Sequence, residues 1–251
     1  MMNVEGKTAL VTGSAKRVGK AIALMLAEAG ANVVINYNRS EAEADETAAA
    51  AEAFGVGALP IAADVGNYGQ VESMVGAATK KFGGIDILVN NASSFHNDPF
   101  PTTDLTVWNE TIATLVNGPF FCANLVAPSM LERGGGAIVS VSDLSSFEAW
   151  PGYIAHAVGK SAIIAMTRQF ALELAPTVRA NAVVFGPALR PHDYDDARYQ
   201  RTADNTLLKR WGTPEEMAHA VKYLVQADYV TGETLVIDGG QRFGHRSEEA
   251  G

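Results

Sequence analysis

The chain has 251 residues, 47% of them hydrophobic and 19% charged, with 24 Gly and 10 Pro. That size and balance exclude disordered, collagen-like and fibrous proteins and suit one large α/β domain or two small ones. A net charge of −9, from 19 basic and 28 acidic residues, argues against general affinity for nucleic acid or anionic lipid.

One cysteine, Cys122, cannot form an internal disulfide, and no charged-then-apolar leader opens the chain. A cytoplasmic location is expected. No apolar stretch is expected to approach the roughly 20 residues of a membrane helix, because Glu28, Glu52, Glu132 and Glu173 interrupt the richest candidates.

Short β-branched runs at 8–11, 33–36, 58–61, 85–89, 137–141, 180–185 and 235–237 alternate with longer segments of helical period. This alternation predicts successive βαβ units and a doubly wound parallel sheet of seven strands in a single domain, 1–251. Val71, Met74, Val75, Ala78 and Phe82 mark the inward face of one helix; Ile163, Met166, Phe170 and Leu174 mark another. Ser40 with Glu43 reads as a capping box opening an Ala-rich helix that runs to Phe54. Residues 242–251 lack a pattern and are expected to form a loose tail.

The first strand runs into Thr12-Gly-Ser-Ala-Lys-Arg-Val-Gly19, after which a helix begins. A strand, a glycine turn and a helix start bring free backbone N–H groups and the positive end of the helix dipole to one place, which makes an anion site. The carboxyl end of the second strand decides which dinucleotide suits such a site. An acid there would bind a ribose 2′-hydroxyl, whereas cations and hydroxyls accommodate a 2′-phosphate. The chain has Asn36-Tyr-Asn38-Arg39-Ser40 and no acid, so NADP(H) is expected over NAD(H).

The Thr12 to Gly19 turn resembles that of the short-chain dehydrogenase/reductase family, with Arg17 where its middle glycine usually stands. Arg17 makes the turn similar to that of the pteridine reductase branch, in which this arginine lies near the cofactor phosphates and the substrate. Asp64-Val65 and Asn90-Asn91-Ala92-Ser93 also resemble family segments that line the adenosine and the nicotinamide ribose. The resemblance runs from about Val4 to Gly240 and implies a Rossmann-type fold. It assigns the cofactor to Gly13, Ser14, Lys16, Arg17, Val18, Gly19, Asn38, Arg39, Ser40, Asp64, Val65, Asn91, Ala92, Ser93, Lys160 and Gly186. It also implies a dimer or tetramer built through two long helices, here about 105–131 and 153–174.

The family's usual catalytic set is Asn, Ser, Tyr and Lys, and alignment puts Leu115, Asp143, His156 and Lys160 at those positions. Asp143 is similar to the aspartate of pteridine reductases, and Asn91-Ala-Ser-Ser-Phe95 resembles their pterin-bracketing segment. Phe95, Tyr153 and Arg17 are therefore candidate substrate contacts. Histidine can shuttle protons near neutrality; Lys160 would disfavour an imidazolium at His156 and Asp143 would favour it. Tyr153, seven residues before Lys160, is similar in spacing to the tyrosine of enoyl-ACP reductases, so it reads as pocket wall or as an alternative acid.

Phe185-Gly186-Pro-Ala-Leu189 departs from the family's Pro-Gly-hydroxyl pattern at the nicotinamide amide. Residues 190–210 look like a variable substrate lid, and no metal is expected, since His192 with Asp193, Asp195 and Asp196 reads as a solvated loop. These features imply an NADPH-dependent oxidoreductase acting on a small molecule, pterin-like or carbonyl, with no nucleic acid or membrane partner. Two alternatives stay open: a non-redox enzyme using Asp143 and His156 as acid and base, and a nucleotide-binding member without turnover.

Overall fold

The computed structural model describes residues 1–190 and 194–243. In chain order its strands are β1 (Thr8–Val11), β2 (Asn32–Tyr37), β3 (Ala58–Ala62), β4 (Ile87–Asn90), β5 (Gly136–Asp143), β6 (Val178–Phe185) and β7 (Thr234–Ile237). Its α-helices are α1 (Arg17–Glu28), α2 (Glu41–Glu52), α3 (Tyr68–Phe82), α4 (Thr106–Ile112), α5 (Gly118–Glu132), α6 (Ile154–Leu174), α7 (Asp196–Asp204) and α8 (Pro214–Gln226). The strands form one sheet in the order β3-β2-β1-β4-β5-β6-β7, and every neighbouring pair is parallel. The order reverses between β1 and β4, so a crevice opens at their carboxyl ends, where open α/β sheets place ligands.

Alternation along the strands divides the core between two helical layers. Ala9, Val11, Val33, Ile35, Ile87 and Val89 pack with Ile22, Leu26, Val221 and Leu224 of α1 and α8. Their neighbours Leu10, Val34 and Leu88 pack on the other face with Val71, Met74, Val126 and Met130 of α3 and α5. Burial on both faces is why these strands read as continuous apolar runs.

Helix ends follow local chemistry in some places and depart from it in others. The Asn67 side chain accepts the Gln70 N–H to start α3, which ends at Gly83 in the left-handed region (φ 82°) after Lys80 and Lys81. A reciprocal capping box of Thr213 and Glu216, with a proline in the first turn, starts α8.

The capping box expected at Ser40 and Glu43 does not form. Ser40 precedes α2, but its side chain makes no capping hydrogen bond, and Glu43 instead pairs with Lys16 at 3.4 Å. The helix also stops at Glu52 rather than at Phe54.

Three further expectations are corrected. Residues 106–132 form one continuous helical segment, interrupted by a π-turn at Ala113–Asn117, that is long and apolar enough by composition to cross a membrane. Glu132 ends this segment instead of dividing it. Its apolar residues Cys122, Val126 and Met130 belong to the core on the α3 side of the sheet. Second, Arg242 and Phe243 are not part of a loose tail: Gln241–Phe243 make a 3-10 turn, and the Arg242 N–H donates to Asp238. Third, β5 continues to Asp143 instead of stopping at Val141, because Asp143 pairs with Phe185. This last extension carries the Asp143 side chain to the carboxyl edge of the sheet, beside the crevice.

Candidate active site

The β1–α1 turn is fastened to the strands on both sides. The Thr12 hydroxyl accepts the N–H groups of Asn91 (2.9 Å) and Ala92 (3.0 Å), and Asn91 Nδ2 donates to the Thr12 and Gly13 carbonyls. Asn36 Oδ1 accepts the Gly13 N–H at 3.1 Å. The approach is so close that a Cβ on Gly13 would lie 2.9 Å from Ala92 Cα, and one on Gly19 would lie 2.6 Å from Asn91 Nδ2.

Arg17 opens α1 at φ 58°, a backbone conformation natural to glycine. The turn therefore keeps a glycine conformation although the side chain is an arginine, and that side chain lies exposed. No side chain caps α1, so its first-turn N–H groups face the crevice mouth uncommitted. Such a turn fits a dinucleotide pyrophosphate.

The other residues expected at the cofactor surround this turn unequally. Asn38 and Arg39 are exposed after β2. Among the described residues Arg17 and Arg39 have no hydrogen-bond or ion-pair partner. Asp64 turns its Oδ1 back to the Gly66 N–H at 2.9 Å, while the Val65 side chain is buried in the core. Gly186 has a packing reason of its own, since a Cβ there would lie 2.6 Å from Asp238 Cα.

At the carboxyl end of β5 the structure brings Asp143, His156 and Lys160 together. His156 Nε2 lies 2.7 Å from Asp143 Oδ2, and Lys160 Nζ lies 3.9 Å from the same oxygen. On the far side of the ring, His156 Nδ1 donates to the Ser94 carbonyl at 2.8 Å, because a carbonyl can only accept. Asp143 Oδ1 accepts the Ser145 N–H (3.0 Å) and hydroxyl (2.5 Å). Lys160 donates to the Val141 carbonyl at 3.2 Å.

Burial alone would raise the Asp143 carboxyl. The His156 hydrogen bond, the charges of Lys160 and His156, and the Ser145 hydroxyl overcome it and hold the group down to about 2. Burial lowers Lys160, opposed by the charge of Asp143. Asp143 is thus an ionised acceptor with three of its roughly four lone-pair positions filled.

The side chains of His156 and Asp143 are 2% and 22% exposed. His156 is enclosed by Phe95, whose ring meets it edge-on at 4.8 Å, and Trp150, which stacks at 6.3 Å. Tyr153 stacks on Phe95 at 4.5 Å, and among the described residues no hydrogen bond joins it to Asp143, His156 or Lys160. The structure therefore joins Asp143 to His156 and Lys160 by polar contacts but places Tyr153 in the aromatic wall.

Leu115 lies in the π-turn, fully buried. A Cβ on Gly159 would lie 2.6 Å from that of Leu115, so an apolar side chain packs against the turn of α6 that carries Lys160.

Several positioning residues were not evident from the sequence. Asp98, almost fully buried, accepts the Ala155 N–H at 2.8 Å and so caps α6 in place of Tyr153. The Asp98 N–H and Asn97 Nδ2 both donate to the Gly152 carbonyl. Ser145 could have been found from the Asp-x-Ser spacing, which permits a local Asx turn; Trp150 carried no spacing signal. His192 and Asp193 lie outside the described residues, and Asp195 caps α7 by accepting the Arg198 N–H.

Comparison with known proteins gives the family. Residues 13–242 match a family model described as enoyl-(acyl carrier protein) reductase. The chain is 36% identical to the human dehydrogenase/reductase SDR family member 4, over 93% of this chain and 87% of that protein. A putative short-chain alcohol dehydrogenase from Sinorhizobium meliloti superposes with a TM-score of 0.90 at 33% identity, covering 95% of this chain and 97% of the other. A blue fluorescent protein from a metagenomic library, solved in complex with NADPH, superposes at 0.89 with 31% identity, covering 96% and 99%. The parallel sheet, the fastened glycine turn and these likenesses, which span nearly the whole chain, make it a member of the short-chain dehydrogenase/reductase family of oxidoreductases.

Proposed function

We propose that the chain is an NADPH-dependent reductase of a small substrate, pterin-like or carbonyl-containing, of the pteridine reductase type. The observation that carries this reading is the intact nucleotide frame at the crevice. The turn retains a glycine conformation at Arg17, its open N–H groups suit phosphate, and Arg17 and Arg39 stand there without protein partners among the described residues. Ser40, released from capping α2, adds a hydroxyl to the same corner. Together they offer two cations and a hydroxyl to a 2′-phosphate at the end of β2, beside the Glu41 carboxylate that meets Tyr37.

Bound there, the nicotinamide would supply a hydride. Lys160 would hold the ribose through the ammonium that Val141 and Asp143 orient, while Asn91, Ala92 and Ser93 would line the same end. Phe95 and Tyr153 would form the substrate wall, and the described part of 190–210, residues 194–210 with α7, would cover it as a lid. The exposed apolar residues Phe120, Leu131, Val158 and Leu172 of α5 and α6 support assembly as a dimer or tetramer through these helices, in the cytoplasm. His156 is too enclosed to meet a substrate, which disfavours the non-redox acid–base alternative.

Fluorescence titration tests the cofactor assignment. NADPH should bind more tightly than NADH, and Arg39→Ala should weaken NADPH by about tenfold, equivalent to about 1.4 kcal/mol, with little effect on NADH. Equal losses for both dinucleotides would remove the phosphate assignment.

A further inference from the structure

Of the three cations at the β1–α1 turn and the end of β2, Lys16, Arg17 and Arg39, only Lys16 has an anionic partner among the described residues. Its Nζ lies 3.4 Å from Glu43 Oε1. Glu43 stands in the first turn of α2, which begins directly after the Asn38, Arg39 and Ser40 corner. Its own backbone N–H and the Lys16 ammonium hold the Glu43 carboxyl below the usual range, so it is an anion at neutral pH. The two side chains are 56% and 46% exposed, and a pair so open to solvent is held weakly.

The backbone beneath Lys16 lacks that freedom. Thr47 lies one helical turn after Glu43 on the same face of α2. It is fully buried, and its hydroxyl donates to the Ala15 carbonyl at 2.9 Å. The Ser14 N–H donates to the Asn36 carbonyl at 2.9 Å, and the Lys16 carbonyl accepts the Lys20 N–H. The turn is clamped to α2 and to β2, so the part that can exchange partners is the Lys16 side chain.

We propose that Glu43 is a specificity-determining residue of the cofactor site: its carboxylate occupies Lys16 in place of the 2′-phosphate and so holds down the preference for NADPH over NADH. The inference rests on the cofactor reading above. A phosphate monoester carries about 1.5 to 2 negative charges near neutrality, more than the single charge of Glu43, and it competes for the ammonium. The carboxylate opposes it twice, by engaging Lys16 and by repelling the phosphate, and both effects have the same sign. A ribose 2′-hydroxyl has no charge on which either can act. Glu43 therefore works on selectivity and leaves the shared part of the two dinucleotides untouched.

The test titrates NADPH and NADH by fluorescence into the full-length wild type, Glu43→Gln, Lys16→Met and the double variant, at low and at high salt. Glu43→Gln should bind NADPH about threefold more tightly, the scale of a solvent-screened ion pair. NADH binding should stay as in the wild type, which also serves as the folding control. The gain should shrink at high salt. It should shrink as well in the Lys16→Met background, where only the repulsion is left to remove.

NADPH affinity unchanged or weakened in Glu43→Gln, equal gains for both dinucleotides, or the full gain retained in Lys16→Met each overturns the proposal. Failure of the cofactor reading looks different: the wild type then binds neither dinucleotide, or Arg39→Ala weakens both equally, and this inference falls with it.

Discussion

One ring of α6 joins two segments that are far apart in sequence. His156 Nε2 meets Asp143 Oδ2 at 2.7 Å at the end of β5, and Nδ1 donates to the Ser94 carbonyl in the segment after β4. Buried on every side, it acts as a strut for the carboxylate and for the loop that carries Phe95.

Removing the strut leaves a buried acceptor at each end. His156→Ala should lower stability by about 3 kcal/mol, as expected when one partner of a buried charged pair is lost. His156→Gln keeps a donor amide and should cost less than half as much. Urea midpoints measured on both variants check this, and equal losses would mean that ring volume rather than hydrogen bonding matters.

Asp143 also sets a pH dependence. Its carboxyl falls from 3.8 to about 2 on folding, so between these values the unfolded chain holds more protons than the folded one. The associated stability, about 2 kcal/mol, is present in full above about pH 4 and is lost as pH falls toward 2. In urea titrations across that window the stability gap between wild type and Asp143→Asn should narrow steadily with acid. A gap independent of pH would show that the carboxylate gains nothing from its partners.

Arg17 bears an opposing pair of effects. A non-glycine residue at φ 58° carries a strain of about 1 kcal/mol. Arg17→Gly should therefore stabilise the fold by about that amount while weakening NADPH. A variant that is both less stable and unchanged toward NADPH would contradict both roles.

The contact between Leu115 and Gly159 can be examined by a double-mutant cycle. Gly159→Ala should destabilise the protein and shift Lys160, because its methyl would meet Leu115. Leu115→Ala alone should cost about 3 kcal/mol as a core truncation, and the double variant should lose much less than the sum. Additive losses would place the clash elsewhere.

The sheet was legible in the sequence because each strand is buried on both faces and each intervening helix keeps its apolar period. The site was only partly so. Asp143, His156 and Lys160 could be aligned by spacing, but spacing says nothing about which atoms are committed. That both nitrogens of His156 face protein acceptors follows from the path of the segment after β4, fixed by Asp98 and Asn97 at the start of α6. The capping role expected of Ser40 failed for a similar reason, since tertiary pairing of Glu43 with Lys16 competes with a local motif. Apolarity across 106–132 likewise measures packing against the sheet.

The charge of Asp143 is the most direct point of test, because an ionised carboxylate is what makes the pocket an acceptor. Carbon NMR of the Asp143 carboxyl followed from neutral pH into acid should find it ionised at neutrality and titrating well below an ordinary aspartate. A carboxyl that is protonated at neutral pH would turn the pocket into a donor and contradict the assignment.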